Sequence, residues 1–116
     1  MNDIISLKTL LSASSETQAQ QLTLFALLNL GIIESLANGL ISATDALRVF
    51  YNGENCLFVR RQLREKTADE IMGRGVQLPD LFAVLPTEEA HREFQRELVT
   101  MRSLCLKLLE NQQLVV

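Results

Sequence analysis

One stretch of this chain limits its possible folds more than any other, the apolar run LTLFALLNLGII from Leu22 to Ile33. A helix drawn through it is apolar on nearly every side, and such a helix must be surrounded by other elements. The run ends at Glu34 after about a dozen residues, whereas a membrane span needs about twenty. The sequence therefore predicts a central core helix and no membrane span.

Capping signals predict where this central helix begins and ends. Ser15 with Gln18 three residues later has the spacing of a capping box, in which each side chain satisfies a backbone donor. Gly39 suits the left-handed conformation that follows many helix C-termini. We therefore expect a long helix over residues 16–38. A short amphipathic helix is expected before it, over residues 3–12, where apolar positions recur at spacings of three and four.

The segment after the central helix is compatible with two structures. Ser42 or Thr44 can cap a helix, but Asn52-Gly53 is a strong hairpin signal with good strand formers on both sides. Two strands alone are only marginally stable. Two short helices, over 44–51 and 55–65, are therefore favoured over a hairpin within 47–59.

The next segment carries start and stop signals at short intervals. Thr67 and Glu70 form a second capping box, which predicts a brief helix ended by one of the glycines of Gly73-Arg74-Gly75. Pro79 suits the first turn of a helix, so a separate turn is expected over residues 79–84.

The final helix is the clearest element of the sequence. Thr87 is placed to cap it, and Glu88 and Glu89 carry negative charge at the positive end of its dipole, so we expect a helix over 87–111. Its apolar residues recur at spacings of four, three, four and three, the pattern of a helix-packing seam. These residues, which we call the seam of the final helix, are Phe94, Leu98, Met101, Cys105 and Leu108.

Composition supports an all-α fold, a compact bundle of five or six helices in a single domain over residues 1–116. Hydrophobic residues make up 47% and charged residues 22%, which are globular values and exclude a globally disordered chain. Aromatic residues make up only 5%, so residues that favour strands are few.

Charge and cysteine content indicate a cytoplasmic protein. The net charge of −3 does not attract nucleic acid or anionic lipid. Cys56 and Cys105 lie far apart and lack a metal-binding spacing, which is typical of free thiols in a reducing compartment. The first residues lack the positive charge that opens a signal peptide.

Positive charge is concentrated in one cluster, formed by Arg60, Arg61, Arg64 and Lys66. Such a cluster can bind phosphates, acidic peptides or an acidic protein surface, and the alternative is a solvated helix face paired with the chain's own carboxylates. Residues 67–85 also suggest a helix-turn-helix, but the second helix, over 79–85, has no basic or amide side chain to read a base edge. We therefore expect no nucleic-acid binding, and a nucleic-acid-associated regulator that uses this cluster is the first alternative function.

No catalytic residue or cofactor is predicted. Glu88 and His91 have the Glu-x-x-His spacing of di-metal bundles, which need two such motifs and two further glutamates. With one histidine, the second motif would have to come from another copy, and Glu34 of the central helix is a candidate bridging ligand. Gly73-Arg74-Gly75 follows a helix instead of the strand that usually precedes a phosphate cradle. A metal-dependent enzyme at His91 is the second alternative.

The middle of the chain, GLISATDALRVFYN followed by LPDLFAVLP and a long amphipathic helix, resembles a class of small bacterial helical proteins of unknown function. The resemblance spans residues 39–110 and rests on spacing. It implies helices over residues 44–65 and carries no functional residue with it.

We therefore expect a non-enzymatic protein–protein interaction or regulatory module that self-associates, most simply as a homodimer, and that has a further, unidentified protein partner. The final helix carries more apolar residues than one stripe needs, and Leu106 lies off the seam. The candidate interaction residues are the four of the cluster together with Met101, Cys105, Leu106 and Leu108.

Overall fold

The computed structural model describes residues 4–12 and 17–112, and every regular element in these ranges is helical. The all-α prediction is confirmed. The elements are α1 (Leu7–Ser12), α2 (Gln18–Ala37), α3 (Ala43–Val49), α4 (Gly53–Phe58), a π-turn (Val59–Leu63), α5 (Lys66–Val84) and α6 (Thr87–Asn111).

The start of α2 differs from its prediction, whereas its end agrees. Ser15 lies outside the described residues, and the capping box is formed by Thr17 and Gln20. The Gln20 backbone N–H donates to the Thr17 hydroxyl at 3.2 Å, and the Thr17 N–H donates to Gln20 Oε1 at 2.9 Å. Gly39 follows the helix with φ of 71°, the left-handed conformation expected of it.

The helices α3 and α4 and the π-turn occupy the segment 43–63, with a break at residues 50–52, so the prediction of helices in place of a hairpin is confirmed. Ser42 caps α3 in a capping box with Asp45. Asn52 caps α4, because its Oδ1 accepts from the Asn55 N–H at 3.0 Å. The Asn52-Gly53 pair therefore begins a helix, since the asparagine side chain binds a backbone donor that a hairpin turn would not present to it.

The prediction of two short helices between residues 67 and 84 is wrong. A single helix, α5, runs through both glycines and contains Pro79. Each glycine costs a helix only about 1 kcal/mol, and burial of a continuous apolar face against α3 and α6 outweighs that cost. Glu65 caps the helix in place of Thr67, since its carboxylate accepts from the Ala68 N–H at 3.0 Å.

The seam of the final helix, the α6 seam, holds the bundle together. Its five residues are all buried, and α6 packs against both α2 and α5. The start of α6 differs from its prediction in that Pro86 precedes it and Thr87 makes no capping hydrogen bond. The domain measures 45 × 35 × 22 Å, so it is about two helix layers thick at about 10–12 Å per helix.

The predicted central helix, α2, is not enclosed on all sides. Its inner face is buried, but Leu24 and Leu27 are exposed on the outer face. By length and composition alone α2 could span a membrane, and 39% of that stretch is buried within the domain. Core helices of soluble proteins pass the same test, so the expectations of no membrane span and of a cytoplasmic location stay predictions.

Two buried asparagines tie the helices together through polar contacts. Asn55 accepts from the Leu7 N–H at 3.0 Å and donates to the carbonyl oxygens of Ile5 and Phe50, both at 2.8 Å. It thereby fastens the start of α1 to α4. Asn29 of α2 accepts from the buried Tyr51 hydroxyl at 3.0 Å.

The Tyr51 ring fixes the distance between α5 and the end of α3. A Cβ atom built on Gly75 would overlap the ring of Tyr51, well inside van der Waals contact. Tyr51 cannot move away easily, because it is fully buried, contacts Phe50 edge to face and is held by Asn29. Only glycine fits at position 75.

We predict that Gly75→Ala lowers the free energy of unfolding by roughly 1–3 kcal/mol, the usual cost of overpacking a core. Gly73→Ala is the matched control, because a Cβ at Gly73 meets nothing within 4 Å. That variant should be more stable by about 0.5–1 kcal/mol, the gain expected when alanine replaces glycine in a helix. Urea unfolding followed by circular dichroism measures both, and equal effects of the two substitutions would contradict the packing argument.

Candidate functional site

The cluster predicted from the sequence lies where the chain passes from α4 into α5. Arg60 and Arg61 project from the π-turn, Arg64 follows it, and Lys66 begins α5. All four side chains are exposed. The sequence predicted an ordinary helix over 55–65, whereas the structure has α4 followed by a π-turn, a local irregularity that is common at functional sites.

The backbone under the cluster is fixed at both ends of the π-turn. The Arg64 N–H donates to the Val59 carbonyl at 3.0 Å, and the Gln18 side-chain amide donates to the Leu63 carbonyl. Arg64 itself is left-handed, with φ of 51° and ψ of 41°, a conformation that is unusual for a residue other than glycine.

The cluster residues differ in their ion pairing from three other arginines of the domain. In the described ranges, ion pairs join Arg48 to Asp45, Arg74 to Glu70 and Glu97, and Arg96 to Glu93. No ion pair within those ranges involves the four residues of the cluster. Their positive charge is therefore available to a partner from outside the domain.

A cleft beside the cluster runs between α1 and the segment that contains α4 and the π-turn. Its volume is about 380 Å³. Cationic side chains line it from both elements, Lys8 from α1 and Arg61 from the π-turn, and the apolar side chains of Leu57 and Phe58 lie between them. Glu54 and Gln62 complete the lining. We call this the basic cleft.

His91 lies near the start of α6 in a larger groove of about 610 Å³, which is also lined by Phe82, Phe94 and residues 39–45. Its ring meets the Phe82 ring nearly edge to face, with 5.2 Å between centroids. Glu34 accepts a hydrogen bond from Asn38 and is not among the residues that line this groove. Among the described residues, no three His, Cys, Asp or Glu side chains are placed to hold a metal ion.

The candidate interaction residues of α6 fall into two groups. Met101, Cys105 and Leu108 are fully buried in the core of the single chain, so they are withdrawn from the interaction surface. The seam pattern is the same for a core and for an interface, which is why the sequence did not separate them. Leu106 is 43% exposed, as its position off the seam predicted.

Arg74, the cation of the Gly73-Arg74-Gly75 segment, is not part of the cluster. Its guanidinium donates to Glu97 of α6 at 2.7 Å and to Glu70 at 3.0 Å. These hydrogen bonds, the one to Glu97 foremost, raise the pKa of Arg74. It joins α5 to α6, and the four-residue spacing from Glu70 was the sequence signal for half of this arrangement.

Cys105 and Tyr51 are held in their neutral forms by the core. Burial raises the pKa of the Cys105 thiol to about 12. Burial also raises the pKa of Tyr51, with a smaller contribution from Cys105. Neither group has the lowered pKa of an activated nucleophile.

We predict that the domain loses stability as the pH rises above 9.0, the ordinary pKa of a cysteine thiol. The unfolded chain then releases the Cys105 proton while the folded chain keeps it, so unfolding is favoured by up to about 1.4 kcal/mol per pH unit. Urea unfolding near pH 8 and near pH 10 measures this loss. Cys105→Ala should show a smaller loss, and an equal loss would assign the titration to other groups.

Comparison with known proteins places the chain in a family. A family model described as "Protein of unknown function (DUF3969)" matches residues 15–115. The chain belongs to this family. No curated protein and no solved structure matches the chain. Family membership agrees with the resemblance to small helical proteins of unknown function.

Proposed function

We propose that this protein is a non-enzymatic protein–protein interaction module that self-associates as a two-fold dimer through the outer sides of α2 and α6. The observation that carries the proposal is the apolar surface of these two neighbouring helices. Leu27 of α2 is 52% exposed, and Val99 and Leu106 of α6 are 65% and 43% exposed.

The outer face of α2 has the spacing of a helix-packing seam. Gln20, Leu24, Leu27, Gly31 and Glu34 are all exposed and follow one another at intervals of four, three, four and three. A Cβ on Gly31 would meet nothing within 4 Å, so the centre of this face is open. A second helix can pack closely at such a position, with the leucines on either side of its axis.

A second copy suits the outer face of α2 better than a charged partner does. Glu34 is the single charged residue between Gln18 and Ala37. Two copies can therefore pack their α2 faces together with few charged side chains in the interface. A two-fold axis places the same face on both subunits, which is the commonest arrangement of soluble oligomers. The domain is about two helix layers thick, and a dimer would give α2 a third layer to pack against.

The test is the mass of the protein in solution. Light scattering and sedimentation equilibrium of the unmodified chain should show a dimer that dissociates on dilution. Leu27→Glu and Leu106→Glu should each give a monomer with unchanged helicity, because a carboxylate in an apolar interface must be desolvated. Leu40→Glu is the matched control, since Leu40 is exposed in the connection between α2 and α3 and belongs to neither α2 nor α6.

Two results would contradict this proposal. One is a monomeric unmodified protein across a wide range of concentrations. The other is a dimer that both glutamate variants leave intact.

A further inference from the structure

We propose that the basic cleft binds an acidic segment of a protein partner, one that carries an apolar side chain between its carboxylates. This site is separate from the outer faces of α2 and α6 and does not depend on self-association. The argument rests on the charges, the apolar floor, the fixed backbone and the position of Glu54.

The cationic side chains of the cleft are placed to bind more than one carboxylate of a partner. Lys8 and Arg61 line it from two different elements, and Arg60, Arg64 and Lys66 extend the positive surface toward α5. The described part of the chain offers none of them an ion pair, although three other arginines pair with neighbouring carboxylates. Planar guanidinium groups bind carboxylates in a bidentate manner, so Arg61 suits this partner well.

The cleft also has an apolar floor. Leu57 is 43% exposed although it lies between cationic neighbours, and the mostly buried Phe58 lines the cleft beside it. A ligand that presents only negative charge leaves this floor uncovered. An aliphatic side chain from the partner would bury Leu57 and add affinity that salt does not screen.

The cleft is held in shape before any ligand binds. Asn55 fastens α1 to α4, which sets the position of the α1 wall, and Gln18 and Val59 hold the backbone of the π-turn. Binding therefore requires ordering of the cationic side chains but not of the backbone. Preorganisation of this kind lowers the entropy cost of association.

The position of Glu54 favours a peptide over a nucleic acid as the ligand of the cleft. It lines the same cleft, and Glu65 adds a second carboxylate near the cluster. A phosphate backbone is negative at every step and would meet these carboxylates, whereas a peptide can turn a backbone N–H toward Glu54. The lining also has no exposed aromatic ring on which a base could stack.

The test uses short fluorescein-labelled peptides and the full chain. The first probe is a repeat of two glutamates and one leucine, and the second replaces each leucine with serine at equal charge. Fluorescence anisotropy at low salt should show micromolar binding of the first probe and at least tenfold weaker binding of the second. Single- and double-stranded DNA of similar charge should bind more weakly than the first probe.

Substitutions locate the site. Arg61→Glu should weaken the first probe at least tenfold, and Leu57→Ser should weaken it while leaving the serine probe unaffected. Arg92→Glu is the control, because it makes the same charge change at an exposed site near the start of α6. The side chains of Leu57 and Arg61 are both exposed, so circular dichroism should show that the variants fold.

Any one of three results would overturn the proposal. The first is that the leucine probe fails to bind, and the second is that Arg61→Glu and Arg92→Glu reduce its binding equally. The third is that DNA binds more tightly than the leucine probe and that Arg61→Glu abolishes the binding of DNA. In the last case the cluster would be a nucleic-acid site.

Discussion

The packing of the α6 seam is the interaction on which the rest of the structure depends. Five apolar residues over four helical turns are buried between α2 on one side and α5 on the other. The helices α3 and α4 then close the remaining side of the core through Ala46, Phe50 and Phe58. Because the seam is a regular pattern, it determines both the length of α6 and the face that it turns inward.

Patterns of this kind explain which parts of the fold were predictable. Periodicity indicated the long helices, and local capping groups such as Ser42 and Gly39 indicated where elements begin and end. The continuity of α5 was not predictable in this way. Its glycines and Pro79 are unfavourable locally, and the helix persists because its apolar face packs against α3 and α6, information that no local window contains.

The candidate site was predictable only in part. The sequence revealed the cluster of cationic residues but not the cleft beside it. Lys8 lies more than fifty positions from Arg61, and the two share a cleft because buried Asn55 holds α1 in place. Nor could the sequence show whether Cys105 of the seam faces the chain's own core or a second copy, since that depends on which helix covers the seam.

The attachment of α1 through Asn55 has a consequence for dynamics. The helix has only six residues, and apart from buried Leu7 and Leu11 it depends on a few hydrogen bonds to the rest of the domain. Short elements held in this way open as local units well before the whole protein unfolds. When α1 opens, Lys8 leaves and the cleft loses a wall. A ligand that contacts Lys8 therefore slows amide hydrogen exchange in α1, so this helix reports occupancy of the cleft.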